Sequence, residues 1–393
     1  MTRRYDLPLL FLTLTLVAFG LAMVYSASAF IAAEQYNDAM HHVTRQGIAA
    51  GIGLALMAAL ARIPYRSLRP WASTLYVLTT LSLFLVWVPG VGHAANGSAR
   101  WFGVGGVHFQ PAEFLKVVVL ICLATWLHKN RSDIHGMRVI IGAVGLLAVP
   151  LGLVAFQPDF GSTAIIAVLA GLMFFFAGLR WGWIAIGGSV LTLLLGLLMV
   201  AKAYRIKRLM SFMDPFADCS GDGYQVCQSL LAMHHGGLFG QGPGESSAKL
   251  LYLPEPYNDF IAAVLGEELG LVGMIALLAL FGAFAHRGFS IARRAADPFG
   301  ALLASTFTVM IVAQACLNLG VVMSLVPPKG LVLPFISYGA SAMMVNLAAV
   351  GVLLSVSAES RETEGLPTRV PNPAPPQTVA RAQPATAFTT GGA

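Results

Sequence analysis

The chain has 393 residues, of which 57% are hydrophobic and 11% are charged. Soluble domains carry about 25% charged residues, so this composition excludes a soluble globular enzyme. The abundance of apolar residues equally excludes a disordered chain. The surplus apolar surface must therefore face lipid. The net charge of +6 is explained by basic cytoplasmic loops of a membrane protein, so no nucleic-acid partner is expected.

Nine stretches contain no Asp, Glu, Lys or Arg, and each approaches the ~20 residues that a helix needs to cross a ~30 Å hydrocarbon core. They are 7–33, 46–61, 70–99, 139–158, 160–179, 181–201, 269–286, 298–328 and 330–358. A tenth segment, 112–128, is apolar except for Glu113 and Lys116. The sequence therefore predicts an all-α polytopic integral membrane protein with about ten transmembrane helices and with both termini on one side.

Lys and Arg residues are unevenly distributed between the two sides of this predicted bundle. With the N-terminus inside, cytoplasmic segments hold fifteen of them and outer segments hold eight, four of which cluster at 202–208. Because cytoplasmic loops are enriched in Lys and Arg, we expect both termini in the cytoplasm. The first span contains a sequence like a signal-peptidase site at 27–29, but its apolar run is about twice that of a signal peptide, so it is predicted to remain as a helix.

Four segments lie outside the predicted helices. Segment 90–111 is a glycine-rich outer loop, and 204–258 is an outer loop of about 55 residues between helices 7 and 8, too long for a simple connector. Three prolines in 325–338 predict irregular backbone near the outer surface. Residues 1–358 thus form the membrane domain, and the Pro-, Ala- and Thr-rich residues 359–393 are predicted to be a disordered cytoplasmic tail.

Asp259 is the sharpest catalytic candidate, because it lies where the long outer loop enters the eighth helix. The plain interpretation is a helix N-cap, a position that favours Asp. With 3.6 residues per helical turn, however, Asp259 shares a helix face with small residues, which permit either close helix packing or a cavity. These are Ala262, Ala263, Gly266, Gly270 and Gly273. A carboxylate above such a face is a candidate general base at the mouth of a pocket.

Other ionisable residues lie within predicted spans, where they are costly. Glu113 and Lys116 are three residues apart and therefore neighbours on the fourth helix. They either form a self-contained ion pair, or Lys116 pairs with Asp259 and keeps that carboxylate ionised and oriented. Glu267 and Glu268 lie two turns into the eighth helix, so at least one faces the bundle interior, where structural hydrogen bonding is the simplest role.

Three cations lie on outer loops beside Gly- or Pro-rich backbone: Arg100, Lys249 and Lys329. Each is either an interfacial cation or a phosphate contact. The glycine-rich segment 240–244 resembles a phosphate-binding loop only superficially, because no strand precedes it and Pro243 lacks an N–H.

Cys219 and Cys227 lie on the same outer loop, eight residues apart. In an oxidising periplasm they can form a disulfide, which their spacing alone does not decide. Cys122 and Cys316 lie inside spans and are predicted to be core residues. The pair His234-His235 has no partner at a recognised metal-binding spacing, so no metal site is predicted.

Nine separated motifs, in their order along the chain, resemble those of the SEDS family (shape, elongation, division and sporulation) of polytopic membrane proteins. They are 23–28, 97–101, 110–116, 157–161, 223–225, 252–255, 258–261, 266–270 and 328–339. The resemblance covers about residues 8–358. Within the family, the motif at 97–101 and the lysine before Gly330 favour the division branch, and the elongation branch is the alternative.

The resemblance implies a peptidoglycan glycosyltransferase that polymerises lipid II on the outer face of the bacterial cytoplasmic membrane, at the division septum. It implies a class B penicillin-binding protein transpeptidase and other division proteins as partners. The family's essential Asp maps onto Asp259, which is predicted to act as the general base, and the family's conserved Lys maps onto Lys116. Lys116, Glu113, Glu267 and Glu268 are predicted to support or orient it. The candidate substrate contacts are Arg100, Arg205, Lys249, Lys329 and Ser337.

No cofactor is required by any sequence feature, although a divalent cation such as Mg²⁺ is compatible with a diphosphate leaving group. Two other functions remain open on composition alone: a flippase that moves intact lipid II, and a non-catalytic scaffold of the division machinery. A carboxylate at the outer mouth of the bundle, rather than at the membrane midplane, favours the enzyme.

Overall fold

The computed structural model describes residues 4–88, 92–95, 98–104, 107–200, 212–216, 219, 221, 223–328 and 330–364. Its α-helices are α1 (Leu7–Tyr36), α2 (His41–Arg62), α3 (Leu68–Ser82), α4 (Pro111–Lys129), α5 (Met137–Phe156), α6 (Phe160–Phe176), α7 (Trp181–Val200), α8 (Tyr224–Gly236), α9 (Ile261–Arg293), α10 (Pro298–Val322) and α11 (Ala340–Glu364).

Within the described ranges, eight helices are long and apolar enough to cross a membrane, and α6 and most of α7 are shorter apolar helices. These ten confirm the predicted polytopic helical bundle. The helix α11 lies at its centre and packs along α2: 89% of its apolar window is buried, against 28% for α5. It runs to Glu364, beyond the predicted domain boundary at 358, and the tail after 364 lies outside the described residues.

The segment predicted as a plain glycine-rich loop contains a small antiparallel sheet, so that prediction was incomplete. Its strands are β1 (Gly92–Ala95), β2 (Ser98–Val104) and β3 (Val107–Phe109), in the order β1-β2-β3. Phe102 and Phe109 are directly opposed, and their rings stack with centroids 5.9 Å apart. Aromatic and β-branched residues favour strands, and cross-strand pairs stabilise them.

The helical part of the span predicted at 298–328 ends at Val322, and the next helix begins at Ala340. Among the described residues, the irregular backbone predicted at 325–338 therefore covers 323–328 and 330–339. It dips into the bundle, because a methyl group on Gly20, near the middle of α1, would lie 2.1 Å from the Phe335 carbonyl oxygen.

Salt bridges tie together the helix ends on one side of the bundle, here called the basic end. Arg66 contacts Asp297 at 3.0 Å and Glu359 at 3.4 Å, and Arg287 pairs with Asp6. The basic end carries Arg62, Arg66, Arg69, Lys129, Arg131, Arg138, Arg180, Arg287, Arg293 and Arg294.

The opposite side, here called the loop end, carries the sheet, the segment 237–260 and the start of α9. The helix α9 is interrupted at Gly270, whose φ of 64° and ψ of −164° are not helical. In a continuous helix the next two amides would donate to carbonyls four residues earlier. Instead Leu271 N donates to Gly237 O at 3.0 Å and Val272 N to Leu238 O at 3.1 Å.

The two carbonyls that lose these donors are also satisfied by the long loop. Glu267 O accepts from Gln241 N at 2.9 Å, and Glu268 O accepts from Gly242 N at 3.1 Å. Four hydrogen bonds between the loop and α9 thus replace the two that the kink removes. Non-helical backbone inside a membrane protein persists only where the protein supplies such partners.

Glycines make this insertion sterically feasible. A methyl group on Gly236 would lie 2.0 Å from Gly266 O, and one on Gly240 would lie 2.1 Å from Glu268 O. The small-residue face of α9 was predicted to permit either close packing or a cavity. At Gly266 and Gly270 it serves close packing. The glycine-rich segment 240–244 contacts α9 with its backbone, which explains its composition without a phosphate ligand.

The variant Gly270→Ala is expected to destabilise the bundle by about 1–3 kcal/mol or more. A Cβ at this left-handed position would lie 2.4 Å from Gly240 N. The matched control is Gly282→Ala in the same helix, where a Cβ meets open space and alanine is favoured by about 0.5–1 kcal/mol. Thermal unfolding in detergent measures both, and equal Tm values for the two variants would contradict the role of the kink.

Candidate functional site

Asp259 lies at the loop end, immediately before α9, and is partly exposed. The N-cap of α9 is Phe260, with no side-chain capping hydrogen bond, so the simple interpretation of Asp259 as the N-cap is wrong. Its carboxylate lies against the backbone of the irregular segment: a methyl group on Gly330 would be 3.1 Å from Asp259 Oδ2. A Cβ at position 330 would therefore require the Asp259 carboxylate to move by a few tenths of an ångström.

A buried amide on α10 joins the same two segments through their main chains. Asn318 Nδ2 donates to Asp259 O at 2.7 Å and to Leu331 O at 2.5 Å. Asn318 is 1% exposed, so water does not compete for these bonds. This bridge fixes the backbone of Asp259 relative to the 330–331 backbone.

One turn earlier on α10, Gln314 connects the irregular segment to the buried lysine of α4. Lys116 Nζ donates to Glu113 Oε2 at 2.9 Å and to Gln314 Oε1 at 3.1 Å, and Gln314 Nε2 donates to Val332 O at 3.0 Å. Of the two predicted arrangements, the ion pair within α4 is therefore the one that forms, and the direct pairing of Lys116 with Asp259 was wrong. Lys116 acts on the segment beside Asp259 through an amide instead.

The irregular segment is held from its other side by α2. Gln46 Nε2 donates to Ser337 O at 3.0 Å, and Gln46 Oε1 accepts from Gly339 N at 3.1 Å. Ser337 Oγ accepts from Leu333 N at 2.7 Å and the residue is 4% exposed. The structure thus places Ser337 as a buried backbone support, which corrects its predicted role as a substrate contact.

An aromatic cluster ties the approach to Asp259 to the same segment. Tyr338 N donates to Tyr257 O at 2.9 Å. The His42 ring stacks on Tyr257 at 4.4 Å and meets Tyr338 edge-on at 5.1 Å. Burial, together with the nearby charge of Glu255, raises the pKa of Tyr257 to about 12.

Sequence reasoning missed His42 and Gln46 on α2, and Gln314 and Asn318 on α10. Both pairs are polar residues four apart, and such pairs lie on one helix face. This spacing inside an apolar span was the available signal. The predicted second span began at 46, whereas α2 begins at His41.

Glu267 is buried and binds the long loop through its carboxylate. It accepts from Ser246 Oγ at 2.5 Å, from Ser247 Oγ at 2.7 Å and from Ala248 N at 3.0 Å. Three donors on consecutive residues hold this loop segment against α9. The arrangement agrees with the structural role that was the simplest expectation.

Glu268, also buried, is the counterion of Lys249. Glu268 Oε1 accepts from Lys249 Nζ at 3.0 Å and from Ser26 Oγ at 2.6 Å, and Lys249 Nζ also donates to Gly244 O at 2.5 Å. With 8% exposure, the Lys249 side chain is engaged in these contacts. Its predicted role as a phosphate contact is therefore corrected to a structural one.

Of the three remaining cations predicted to contact substrate, one lies in the described part of the structure. Arg100, on β2, donates to Pro158 O at 2.8 Å at the loop end. Next to that carbonyl, Asp159 caps α6 by accepting from Ser162 N at 3.1 Å. Lys329 and Arg205 lie outside the described residues.

Cys219 and Cys227 form a disulfide with Cα atoms 5.6 Å apart, which resolves the alternatives that their spacing left open. Cys122 is buried as predicted, but Cys316 is exposed on α10, so its predicted core position was wrong. Among the described residues, no group of three or more His, Cys, Asp or Glu is arranged to hold a metal ion.

Comparison with known proteins finds relatives that all belong to one family. The family model for the FtsW, RodA and SpoVE proteins, described as "Cell cycle protein", matches residues 7–362. A relative from Geobacter metallireducens, named a probable peptidoglycan glycosyltransferase FtsW, is 41% identical over 362 residues, covering 92% of this chain and 96% of that protein. Stage V sporulation protein E of Bacillus subtilis is 41% identical over 358 residues, covering 91% and 98%.

Two solved structures share the fold. A chain from a study of structural coordination of polymerization and crosslinking by a peptidoglycan synthase complex matches with a TM-score of 0.74 and 30% identity, covering 91% of this chain and 98% of that chain. The rod shape determining protein RodA of Thermus thermophilus matches with a TM-score of 0.67 and 29% identity, covering 91% and 97%.

The variant Asn318→Ala removes the amide that bridges Asp259 O and Leu331 O. Leaving buried carbonyls without donors costs about 1–3 kcal/mol, so amide hydrogen exchange over 330–333 is expected to rise by about tenfold or more. The matched control is Asn346→Ala, since the buried Asn346 side chain has no hydrogen-bond partner among the described residues. Equal exchange over 330–333 in the two variants would contradict the bridge.

Proposed function

This chain belongs to the SEDS family and is a peptidoglycan glycosyltransferase of the division branch, and we propose that Asp259 is the general base of its reaction. One observation carries the proposal. Asp259 is partly exposed at the loop end, on a backbone held by Asn318. By contrast, Glu267 and Glu268 are buried.

The protein is a multi-pass membrane protein, and we place its basic end in the cytoplasm. Cytoplasmic ends of membrane helices are enriched in Lys and Arg, and the basic end carries the cations of four connections. The disulfide in the long loop supports this orientation, because disulfides persist in the oxidising periplasm. The loop end with Asp259 then faces outward from the cytoplasmic membrane, at the division septum.

The proposed substrate is lipid II, which combines a polyprenyl tail, a diphosphate and a disaccharide-peptide. Asp259 accepts the proton of the acceptor GlcNAc 4-hydroxyl, and that oxygen attacks C1 of the donor MurNAc. The bond from C1 to the diphosphate oxygen breaks, and undecaprenyl diphosphate leaves. Attack opposite the leaving group converts the α-linked donor into a β-1,4 linkage. A positioned base of this kind contributes about 10²–10⁴-fold to the rate.

The leaving diphosphate requires positive charge at the outer headgroup level. Arg100 is the predicted cation that the described structure supports for this role, since it lies at the loop end on β2. Lys329 and Arg205 stay in the proposal on sequence grounds. A divalent cation such as Mg²⁺ would share the diphosphate charge, but the described side chains offer no cluster to hold it, and the steps above use none.

We also propose that the chain works with a class B penicillin-binding protein transpeptidase and other division proteins. The support is the similarity to a chain of a peptidoglycan synthase complex that coordinates polymerization and crosslinking. A transpeptidase at the loop end would receive the nascent strand on the side where Asp259 lies.

The variant Asp259→Asn is expected to fold normally and to lose polymerisation by at least about 10²-fold, because an amide cannot accept the hydroxyl proton. The measurement is glycan strand formation from labelled lipid II by the purified protein with its transpeptidase. The control is Glu255→Gln, an exposed carboxylate on the same loop. Full activity of Asp259→Asn would exclude the base. No strands from wild type, with both proteins folded and bound, would favour lipid transport or a scaffold.

Lys116 is proposed to position the active segment through Gln314. The double variant Lys116→Met with Glu113→Gln avoids leaving an unpaired buried carboxylate, a change that costs about 3–5 kcal/mol. We expect a folded protein whose kcat falls by about tenfold or more while KM for lipid II is unchanged, because Gln314 loses its donor. The control is Lys129→Met, which removes an exposed lysine at the other end of the same helix. A wild-type kcat in the double variant would show that Lys116 is only a packing residue.

A further inference from the structure

A cavity of about 200 Å³ lies at the basic end, between α4, α6 and α10. A single water needs only ~10–15 Å³ of such space, so the cavity accommodates a polyatomic group. Its polar lining consists of His128, Arg131 and Ser305, and its apolar walls include Ile134, Phe176 and Leu302. It lies far from Asp259, at the opposite end of the bundle, and the glycosyltransferase reaction makes no use of it.

The polar groups of this lining have no protein partner among the described residues. His128 Nδ1 is fully buried yet makes no hydrogen bond. Arg131 forms no ion pair, and Ser305 Oγ makes no hydrogen bond to the carbonyl four residues earlier, although Thr308 of the same helix does. Arg131 is exposed and Ser305 is partly exposed, so the cost of about 1–3 kcal/mol for a buried unpaired polar atom applies to His128 Nδ1 alone. This unpaired nitrogen beside a cation and a hydroxyl points to a ligand that accepts hydrogen bonds.

The two nearby carboxylates, Asp297 and Asp133, do not accept hydrogen bonds from the polar groups of the cavity lining. Asp297, which precedes α10, is bound by Arg66 at 3.0 Å, by Arg69 at 2.5 Å and by Gly300 N at 2.8 Å. Asp133 is exposed and packs against Gly136, outside the cavity lining. The cavity therefore keeps a net positive lining, and the ligand it suits is an anion.

The cavity lies at the level of the lipid headgroups. Trp181, which begins α7 next to Arg180, is 73% exposed, and its ring contacts Phe175 at 5.4 Å. Exposed Trp beside Arg marks the boundary between hydrocarbon and headgroups, and the cavity residue Phe176 follows Phe175 directly. An amphipathic cavity at this depth presents cations to headgroups and apolar walls to acyl chains.

From this arrangement we infer that the cavity binds the phosphate of an anionic phospholipid of the cytoplasmic leaflet. Arg131, Ser305 and His128 donate to the phosphate oxygens, and an acyl chain lies along Phe176 and Leu302. The inference rests on the basic end facing the cytoplasm and is independent of the glycosyltransferase chemistry. Basic cavities between membrane helices on the cytoplasmic side are known to favour such headgroups.

The test is native mass spectrometry of the purified full chain in detergent with equimolar dioleoyl phosphatidylglycerol and phosphatidylcholine. Wild type is expected to retain one phosphatidylglycerol preferentially. Arg131→Ala is expected to lose at least about fivefold of that retention, since one cation near an anionic headgroup contributes about 1 kcal/mol. The matched control is Arg138→Ala, an exposed arginine of the same end outside the cavity lining, which should behave as wild type.

Two further measurements of lipid retention test the inference. Ala301→Phe fills the cavity from α10 and is expected to lower retention while the basic rim is intact. Glycerol 3-phosphate, which has the phosphate without the chains, is expected not to displace the lipid at millimolar concentration. Equal retention of the two lipids, unchanged retention in Arg131→Ala, or displacement by glycerol 3-phosphate would each overturn the assignment.

Discussion

A peptide group that leaves its helix inside a membrane must find another hydrogen-bond partner within the protein, because hydrocarbon offers none. This chain leaves helical geometry at Gly270 and again between 323 and 339, and each departure is matched by dedicated partners. At Gly270 the backbone of 237–242 supplies them. In the irregular segment the side-chain amides of Gln46, Gln314 and Asn318 supply them. The position of Asp259 depends on both solutions.

The same constraint explains the buried charges near the site. Lys116, Lys249, Glu267 and Glu268, the buried charged groups described around the site, each have a fixed partner, as the cost of burying an isolated ion requires. Lys116 is balanced by Glu113 and Lys249 by Glu268, and Glu267 receives three donors from 246–248. These contacts fasten α4, α1 and the long loop to the segments around Asp259. The groups that the motifs singled out are thus mainly the framework of the site, and Asp259 is the carboxylate proposed to carry the chemistry.

The sequence was sufficient for the bundle, and it also singled out the carboxylate that is proposed as the general base. Apolar runs of ~20 residues without charge have few other structures available to them, so the spans were predictable. The irregular backbone at 325–338 was predictable from its three prolines. The roles of Lys249 and Ser337 were not. The sequence alone cannot distinguish a lysine on a glycine-rich loop from an exposed cation, and the structure shows Glu268 3.0 Å from it. The sequence likewise presents Ser337 as a polar contact for substrate, whereas in the structure its hydroxyl accepts a hydrogen bond from Leu333 N.

By itself the sequence determined the membrane class, the number of apolar helices, the basic end and the family resemblance, because each follows from composition, run length or local motif. The tertiary structure alone decided which charges meet. Lys116 is three residues from Glu113 and far along the chain from both Gln314 and Asp259, and spacing cannot show which distant residue it reaches. Contacts between distant segments depend on how helices pack and where the loop enters α9, and these are properties of the whole fold.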